Sequence, residues 1–122
     1  MRVFLSIAAG LTLILGLAWL FAPQAMLASW GVGAEPVAVY MARRYGGLFF
    51  GYSAILWLTR GAPASAARTA ILVGGVVVTG VMTIVSAVGA LTGVVGSVVW
   101  SVVLVEALLA AGFTYYLVGE RR

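Results

Sequence analysis

The 122-residue chain contains no cysteine, histidine, lysine, aspartate or asparagine. The absence of cysteine excludes a disulfide framework and leaves no indication of the redox compartment. Without histidine, cysteine and aspartate, the chain cannot assemble the familiar zinc, haem or iron–sulfur ligand sets, nor a Ser–His–Asp nucleophile. We therefore predict no metal site, no catalytic residues and no enzymatic activity of its own, and the sequence identifies no cofactor.

Charge is also scarce, because 8% of the residues are charged and 64% are hydrophobic. A soluble domain of this size needs far more polar surface, so the composition indicates a membrane protein. The net charge is +4, but the seven arginines are scattered at the ends of apolar segments instead of forming one stripe. This distribution argues against nucleic acid as a partner and favours the lipid bilayer, whose anionic headgroups attract arginine.

Four apolar segments are long enough to cross a bilayer, which takes about 20 residues. They cover approximately residues 3–21, 38–59, 69–92 and 94–118. Runs of this length without polar alternation favour helices over barrel strands. The first segment is longer than the core of a usual signal peptide, so we interpret it as a retained helix. The sequence thus predicts an all-α membrane protein, an antiparallel four-transmembrane-helix bundle that forms a single domain over residues 1–122.

The connections between these segments carry turn signals. Pro23 and Gly31 bracket a short helix, and Met26, Leu27 and Trp30 would hold that helix in the membrane interface. A short polar turn, RGAPASAART, joins the second and third segments. The third and fourth segments meet at Gly93 with almost no loop, which predicts a tight antiparallel hairpin.

The arginines predict an orientation. In a four-span topology five of them share one side: Arg2, Arg60, Arg68, Arg121 and Arg122. The loops on the opposite side contain one charged residue, Glu35. The positive-inside rule therefore places both termini on the cytoplasmic side of a bacterial inner membrane. The interfacial aromatics agree. Trp19, Trp30, Tyr40 and Trp100 fall near the outer interface, and Trp57, Tyr115 and Tyr116 near the inner one.

The stretch YMARRYGGLFFGYS, residues 40–53, places two arginines inside an apolar segment. Gly47 and Gly51 form a GxxxG pattern, which allows another helix to approach closely. Arg44 precedes Gly47 by three residues and shares its face, so it should face the bundle interior or a protein partner. Arg43 is turned about 100° away and should reach lipid headgroups.

Glu106 is the only carboxylate within a predicted span. It lies roughly 18 Å from the outer end of its helix, and Arg44 lies roughly 9 Å from the same side. An ionised carboxylate at that depth requires a partner, and we predict a polar pair with Arg44, within one chain or between chains. Hydrogen bonds to Tyr45, Thr79 or Thr83 are the alternatives.

Two small residues follow Glu106 on the same helix. Ala107 and Ala111 form a small-xxx-small pattern beside the acid. Such a pattern is typical of helix packing in membranes. We therefore expect both alanines on an interior face.

The order of FAP, then WG, then ARRYGG resembles small four-helix bacterial membrane proteins of the DoxX-like type. The element formed by Ala42, Arg43, Tyr45 and Gly46 is also similar to one in the four-helix sterol-biosynthesis scaffold family. The second resemblance implies a protein that tethers other membrane proteins without catalysing a reaction.

Three functional classes agree with these features. The first is a membrane accessory or scaffold protein that packs through small-residue faces against itself, as a homo-oligomer, or against a larger membrane complex. The second is a small oligomeric transporter or channel that uses Glu106 and Arg44. The third is a binding module for a lipid, quinone or pigment.

Overall fold

A computed structural model describes residues 1–120, and within them the chain folds into five α-helices and no strand. In chain order these are α1 (Arg2–Phe21), α2 (Pro23–Ser29), α3 (Pro36–Thr59), α4 (Ala66–Leu91) and α5 (Val99–Glu120). The predicted all-α class is confirmed. Arg121 and Arg122, which enter the predicted orientation, lie outside the described residues.

Three of the helices are long and apolar enough to cross a membrane, namely α1, α4 and α5. The composition of α3 is less apolar than theirs, because its 24 residues include Arg43, Arg44 and three tyrosines. Of the four predicted spans, three therefore have the composition expected of a membrane helix. The membrane class agrees with this finding.

The helices form two compact units, one of α1 to α3 (Arg2–Arg60) and one of α4 and α5, beginning at Gly61. In the α1–α3 unit, the two long helices pack side by side and antiparallel. Ser53 of α3 donates a hydrogen bond to the Ala9 carbonyl at 2.7 Å, and Gly46 lies against Gly16. The single domain over residues 1–122 stays a prediction.

Each long helix of this unit buries one narrow stripe. The buried residues of α1 are Leu5, Ala8, Ala9, Thr12, Gly16 and Trp19, and those of α3 are Ala42, Gly46, Ser53 and Leu56. Most steps within each set are three, four or seven residues, which keeps each set on one helical face. Most of these residues are small, so the two backbones approach closely.

The short helix α2 forms where Pro23 and Gly31 predict it. Pro23 occupies its first turn, and Gly31 adopts a φ of 71°, a conformation that favours glycine. The Val32 amide donates to the Leu27 carbonyl at 2.9 Å, and the Gly31 amide to Ala28 at 3.0 Å. These two bonds form a Schellman motif, which ends the helix.

In the α4–α5 unit, Ser65 caps α4 by accepting a hydrogen bond from the Arg68 amide at 3.2 Å. A second Schellman motif ends this helix, since Gly93 has a φ of 71° and the Val94 amide donates to the Gly89 carbonyl at 3.0 Å. The chain then continues as a loop over residues 92–98 before α5 begins.

The predicted direct junction at Gly93 is therefore wrong. Val94 and Val95 both donate their amides to Gly89, and the Val95 side chain lies over that glycine. These residues cap α4 instead of starting α5, which begins about five residues later than predicted. The hairpin itself is present, because α4 and α5 pack antiparallel.

Candidate functional site

Glu106 lies in the packed face of the α4–α5 hairpin, where it is 8% exposed. The Ser86 hydroxyl, on α4, donates a hydrogen bond to its Oε2 at 3.0 Å. Both side chains sit in the buried stripes of their helices. This contact provides the polar partner that a carboxyl group requires inside a membrane helix pair.

The threonines predicted as partners of Glu106 bond elsewhere. The Thr79 hydroxyl donates to the Gly75 carbonyl at 2.7 Å, and the Thr83 hydroxyl donates to the Thr79 carbonyl at 2.7 Å. Both are bonds within α4. Ser86 was missed, although it lies seven residues after Thr79 and hence on the same helical face.

Ala107 and Ala111 do not lie on the packed face of α5, and both are exposed. Burial on this helix recurs every seven residues, at Val99, Glu106 and Phe113. Ala107 is turned about 100° from Glu106, which carries it away from α4. These alanines therefore do not pack against α4, and their interior face in a four-helix bundle stays a prediction.

The outward surface of α3 carries Tyr40, Arg44, Gly47 and Gly51, which we call the outer face of α3. A Cβ atom added at either glycine would find no atom within 4 Å. Arg44 is exposed, and its Nη1 donates to the Tyr40 hydroxyl at 3.5 Å, one turn back on the same helix. Both predicted surroundings of Arg44, the bundle interior and a protein partner, stay predictions.

Arg43 is exposed as well, and its contact with headgroups stays a prediction. The Arg44–Glu106 pair also stays a prediction. The hydrogen bonds that the structure shows for these two residues, with Tyr40 and with Ser86, each lie within one unit. Tyr45, the other predicted partner of Glu106, packs edge-on against Trp19 at 5.5 Å between ring centroids.

The glycines that bring the two long helices of the α1–α3 unit together are Gly16 and Gly46. A Cβ at Gly46 would lie 2.8 Å from the Leu20 amide nitrogen and 2.9 Å from the Gly16 carbonyl oxygen. The sequence carries signals for both, since Gly16 continues a series of small residues from Ala8 and Thr12 at intervals of four. Gly46 stands four residues after Ala42.

An ion pair and a hydrogen bond join α4 and α5 at the end of the hairpin that lies away from its loop. The Glu120 carboxylate at the end of α5 pairs with Arg68 Nε and accepts the Thr69 hydroxyl at 3.0 Å. Arg68 Nη1 also donates to the Ala62 carbonyl at 2.9 Å. Because Arg68 and Thr69 lie in the first turn of α4, the carboxylate also sits at the favourable end of that helix dipole.

Comparison with protein families, curated proteins and solved structures found no match to this chain. The chemistry of the site must therefore be judged from its geometry. Glu106 and Ser86 provide one carboxyl group and one hydroxyl, joined by a single hydrogen bond between two packed helices. That arrangement can hold the hairpin together, bind a proton or accept a hydrogen bond.

We expect Ser86→Ala to lower the free energy of unfolding by about 0.6–1.7 kcal/mol, between the average and the largest values measured for hydrogen bonds between membrane helices. Ser101→Ala is the matched control, because Ser101 is exposed and its hydroxyl donates to the Val98 carbonyl, in the loop just before α5, and not to α4. Unfolding in detergent measures both variants. Equal losses in the two would contradict a stabilising role for the Ser86–Glu106 bond.

A double-mutant cycle assigns this loss to the pair. Ser86→Ala and Glu106→Leu should be non-additive, since either change alone removes the bond. The same cycle with Arg44→Leu in place of Ser86→Ala tests the predicted Arg44–Glu106 pair. An uncompensated buried charge would give a coupling of about 3–5 kcal/mol, and strictly additive effects would contradict that pair.

Proposed function

We propose that the protein is an accessory or scaffold protein of the inner membrane. In this proposal α1, α3, α4 and α5 each cross the bilayer as an antiparallel four-helix bundle, and both termini are cytoplasmic. The outer face of α3 packs against a second copy of the chain or against a larger membrane complex.

The packing of α3 supports its role as the fourth span. Its 24 residues extend about 36 Å, enough to cross a hydrocarbon core of about 30 Å. It lies antiparallel along α1, a helix with the composition of a membrane span. The contacts between the two helices extend from the Ala9–Ser53 pair to the Gly16–Gly46 pair. A helix packed along a spanning helix lies at the same depth in the bilayer.

The loop charges support the same number of crossings. If α3 stayed outside the membrane, the loop with Arg60 and Arg68 would share its side with Glu35. With α3 as a span, Arg2, Arg60 and Arg68 lie together on one side and Glu35 lies on the other. The positive-inside rule favours the second arrangement and makes that side cytoplasmic.

The observation that carries the scaffold proposal is Arg44 on the outer face of α3. It lies about 12 Å from the start of the helix, well inside the hydrocarbon core. An arginine facing lipid costs about 2.5–3.5 kcal/mol at the centre of a membrane helix on insertion scales, and Arg44, about 5 Å from the middle of α3, carries part of that cost. The adjacent glycines, Gly47 and Gly51, leave room for a helix whose polar groups would offset that cost.

A small oligomeric transporter or channel is the second candidate, and the buried carboxyl group of Glu106 favours it. Ionisable residues inside membrane proteins frequently mark ion or proton paths. A proton-coupled carrier should lose transport with Glu106→Gln while it still assembles. The scaffold proposal expects this variant to retain its partners.

Because the chain has no cysteine, single cysteines introduced into it test the proposal without background. We expect Gly51→Cys to form a disulfide or a short cross-link to a second copy or to another membrane protein in native membranes. Gly80→Cys is the matched control. A side chain there also meets no atom within 4 Å, but Gly80 lies on α4 and not on the outer face of α3. Equal cross-linking at both positions would contradict a specific interface.

Single cysteines also test the topology. Glu35→Cys should react with an impermeant maleimide from outside intact cells, and Gly61→Cys should react only after the membrane is opened. Reaction of both from outside would overturn the four-span arrangement.

A further inference from the structure

An open apolar groove runs along the surface between α1 and α3. It is lined by Ala9, Gly10, Leu13, Phe50, Ala54 and Trp57. The one hydroxyl in its lining, that of Ser53, donates to the Ala9 carbonyl and so is already satisfied. Small residues form its floor, and a side chain at Gly10 would meet no atom within 4 Å. The groove therefore offers an occupant apolar contact only.

A cation and an indole ring mark one end of this groove. The Arg60 guanidinium lies over the Trp57 ring, with its carbon 3.6 Å from the ring centroid, and also donates to the Trp57 carbonyl. Within residues 1–120 the one ion pair joins Arg68 to Glu120, so no carboxylate neutralises Arg60. Its positive charge is available to an anion beside the groove.

The distance from Arg60, beside the groove, to the far end of the groove at Phe50 matches one leaflet of a bilayer. From Arg60 to Phe50 the helix rises about 15 Å, which is half of a hydrocarbon core of about 30 Å. Tryptophan and arginine typically lie at the membrane interface. A chain that entered at Trp57 and ended at Phe50 would reach the middle of the membrane.

We infer that this groove, which we call the Arg60 groove, binds an anionic glycerophospholipid of the cytoplasmic leaflet. One acyl chain lies between α1 and α3, and the phosphate group meets the Arg60 guanidinium. Arginine pairs with a phosphate group through two parallel N–H groups. In a zwitterionic lipid the cation of the headgroup partly neutralises the phosphate, so an anionic lipid should bind better. The inference rests on α3 crossing the membrane, but it does not require a partner on the outer face of α3.

Trp57 makes the site measurable, because it is 50% exposed at the groove and bromine atoms on lipid chains quench tryptophan fluorescence on contact. The protein is reconstituted with phosphatidylglycerol or phosphatidylcholine carrying the same brominated chains. The difference between the chain and its Trp57→Phe variant isolates the signal of Trp57. We expect phosphatidylglycerol to reach half-quenching at a mole fraction about fivefold lower than phosphatidylcholine does. This is the preference that one arginine near anionic lipid confers.

Two pairs of variants separate the headgroup from the chain. Arg60→Gln should abolish the preference for phosphatidylglycerol, and Arg60→Lys should keep most of it because the charge remains. Gly10→Leu should reduce quenching by both lipids by filling the groove, and Gly80→Leu should not, because its side chain would point into open space on α4.

The outcomes distinguish this inference from the proposed function. Equal quenching by the two lipids, or a preference that survives Arg60→Gln, would overturn the anionic-lipid site and leave the four-span proposal intact. No quenching of Trp57 by either lipid would overturn the placement of α3 in the bilayer, and the Arg60 groove with it.

Discussion

Gly46→Ala should destabilise the protein by about 1–3 kcal/mol, the usual effect of an extra methyl group in a packed interface. The new Cβ would lie 2.8 Å from the Leu20 amide nitrogen and 2.9 Å from the Gly16 carbonyl oxygen. Both are backbone atoms of α1, so no side chain can rotate away to make room. The two helices would have to separate, and the 2.7 Å bond from Ser53 to the Ala9 carbonyl would lengthen.

Gly47→Ala is the matched control, at the next position on the same helix. Its Cβ would find no atom within 4 Å, so the alanine should stabilise the helix by up to about 1 kcal/mol through its higher propensity. Unfolding of both variants in detergent, followed by circular dichroism, gives the comparison. Similar free energies for the two would contradict the observed contact between Gly46 and α1.

This pair of glycines also marks how far the sequence could predict the site. Gly47 pairs with Gly51 in a GxxxG pattern, whereas Gly46 pairs with Ala42 at the same spacing. Periodicity alone cannot decide which of two adjacent glycines faces α1, since their directions differ by about 100°. The decision depends on Gly16 across the interface, and hence on tertiary structure.

The helices were easier to predict than the contacts between them. Long apolar runs mark α1, α4 and α5, and Pro23 with Gly31 marks α2, since each signal is local in the chain. The start of α5 was misplaced because Gly93 forms a Schellman motif that uses Val94 and Val95. A C-terminal cap and a direct helix-to-helix junction both place glycine at the same point in a sequence.

That error in the loop explains the missed partner of Glu106. A hairpin that turned at Gly93 would place Glu106 opposite Thr79 and Thr83. The loop over residues 92–98 moves the centre of the turn to residue 95 and so shifts the register of α5 along α4 by about one turn. Ser86 then stands opposite the acid and donates the hydrogen bond.

Gly75→Leu should strongly destabilise the α4–α5 unit, with a loss of about 3 kcal/mol or more. A Cβ at Gly75 would lie 2.5–2.6 Å from three ring atoms of Phe113. The Phe113 side chain is fully buried, with an exposed fraction of 0%, so its ring cannot swing aside without disturbing the hairpin. Gly74→Leu is the control, because the adjacent glycine has no atom within 4 Å of the added Cβ.

A compensating change tests the mechanism of this loss. Phe113→Ala alone should cost about 3–5 kcal/mol, since it leaves a cavity above Gly75. In the double variant the leucine would occupy the space that the ring vacates, so the combined loss should be well below the sum of the two. Unfolding in detergent measures all four members of the cycle. Additive losses would mean that the damage arises from the helix backbone and not from the contact between Gly75 and Phe113.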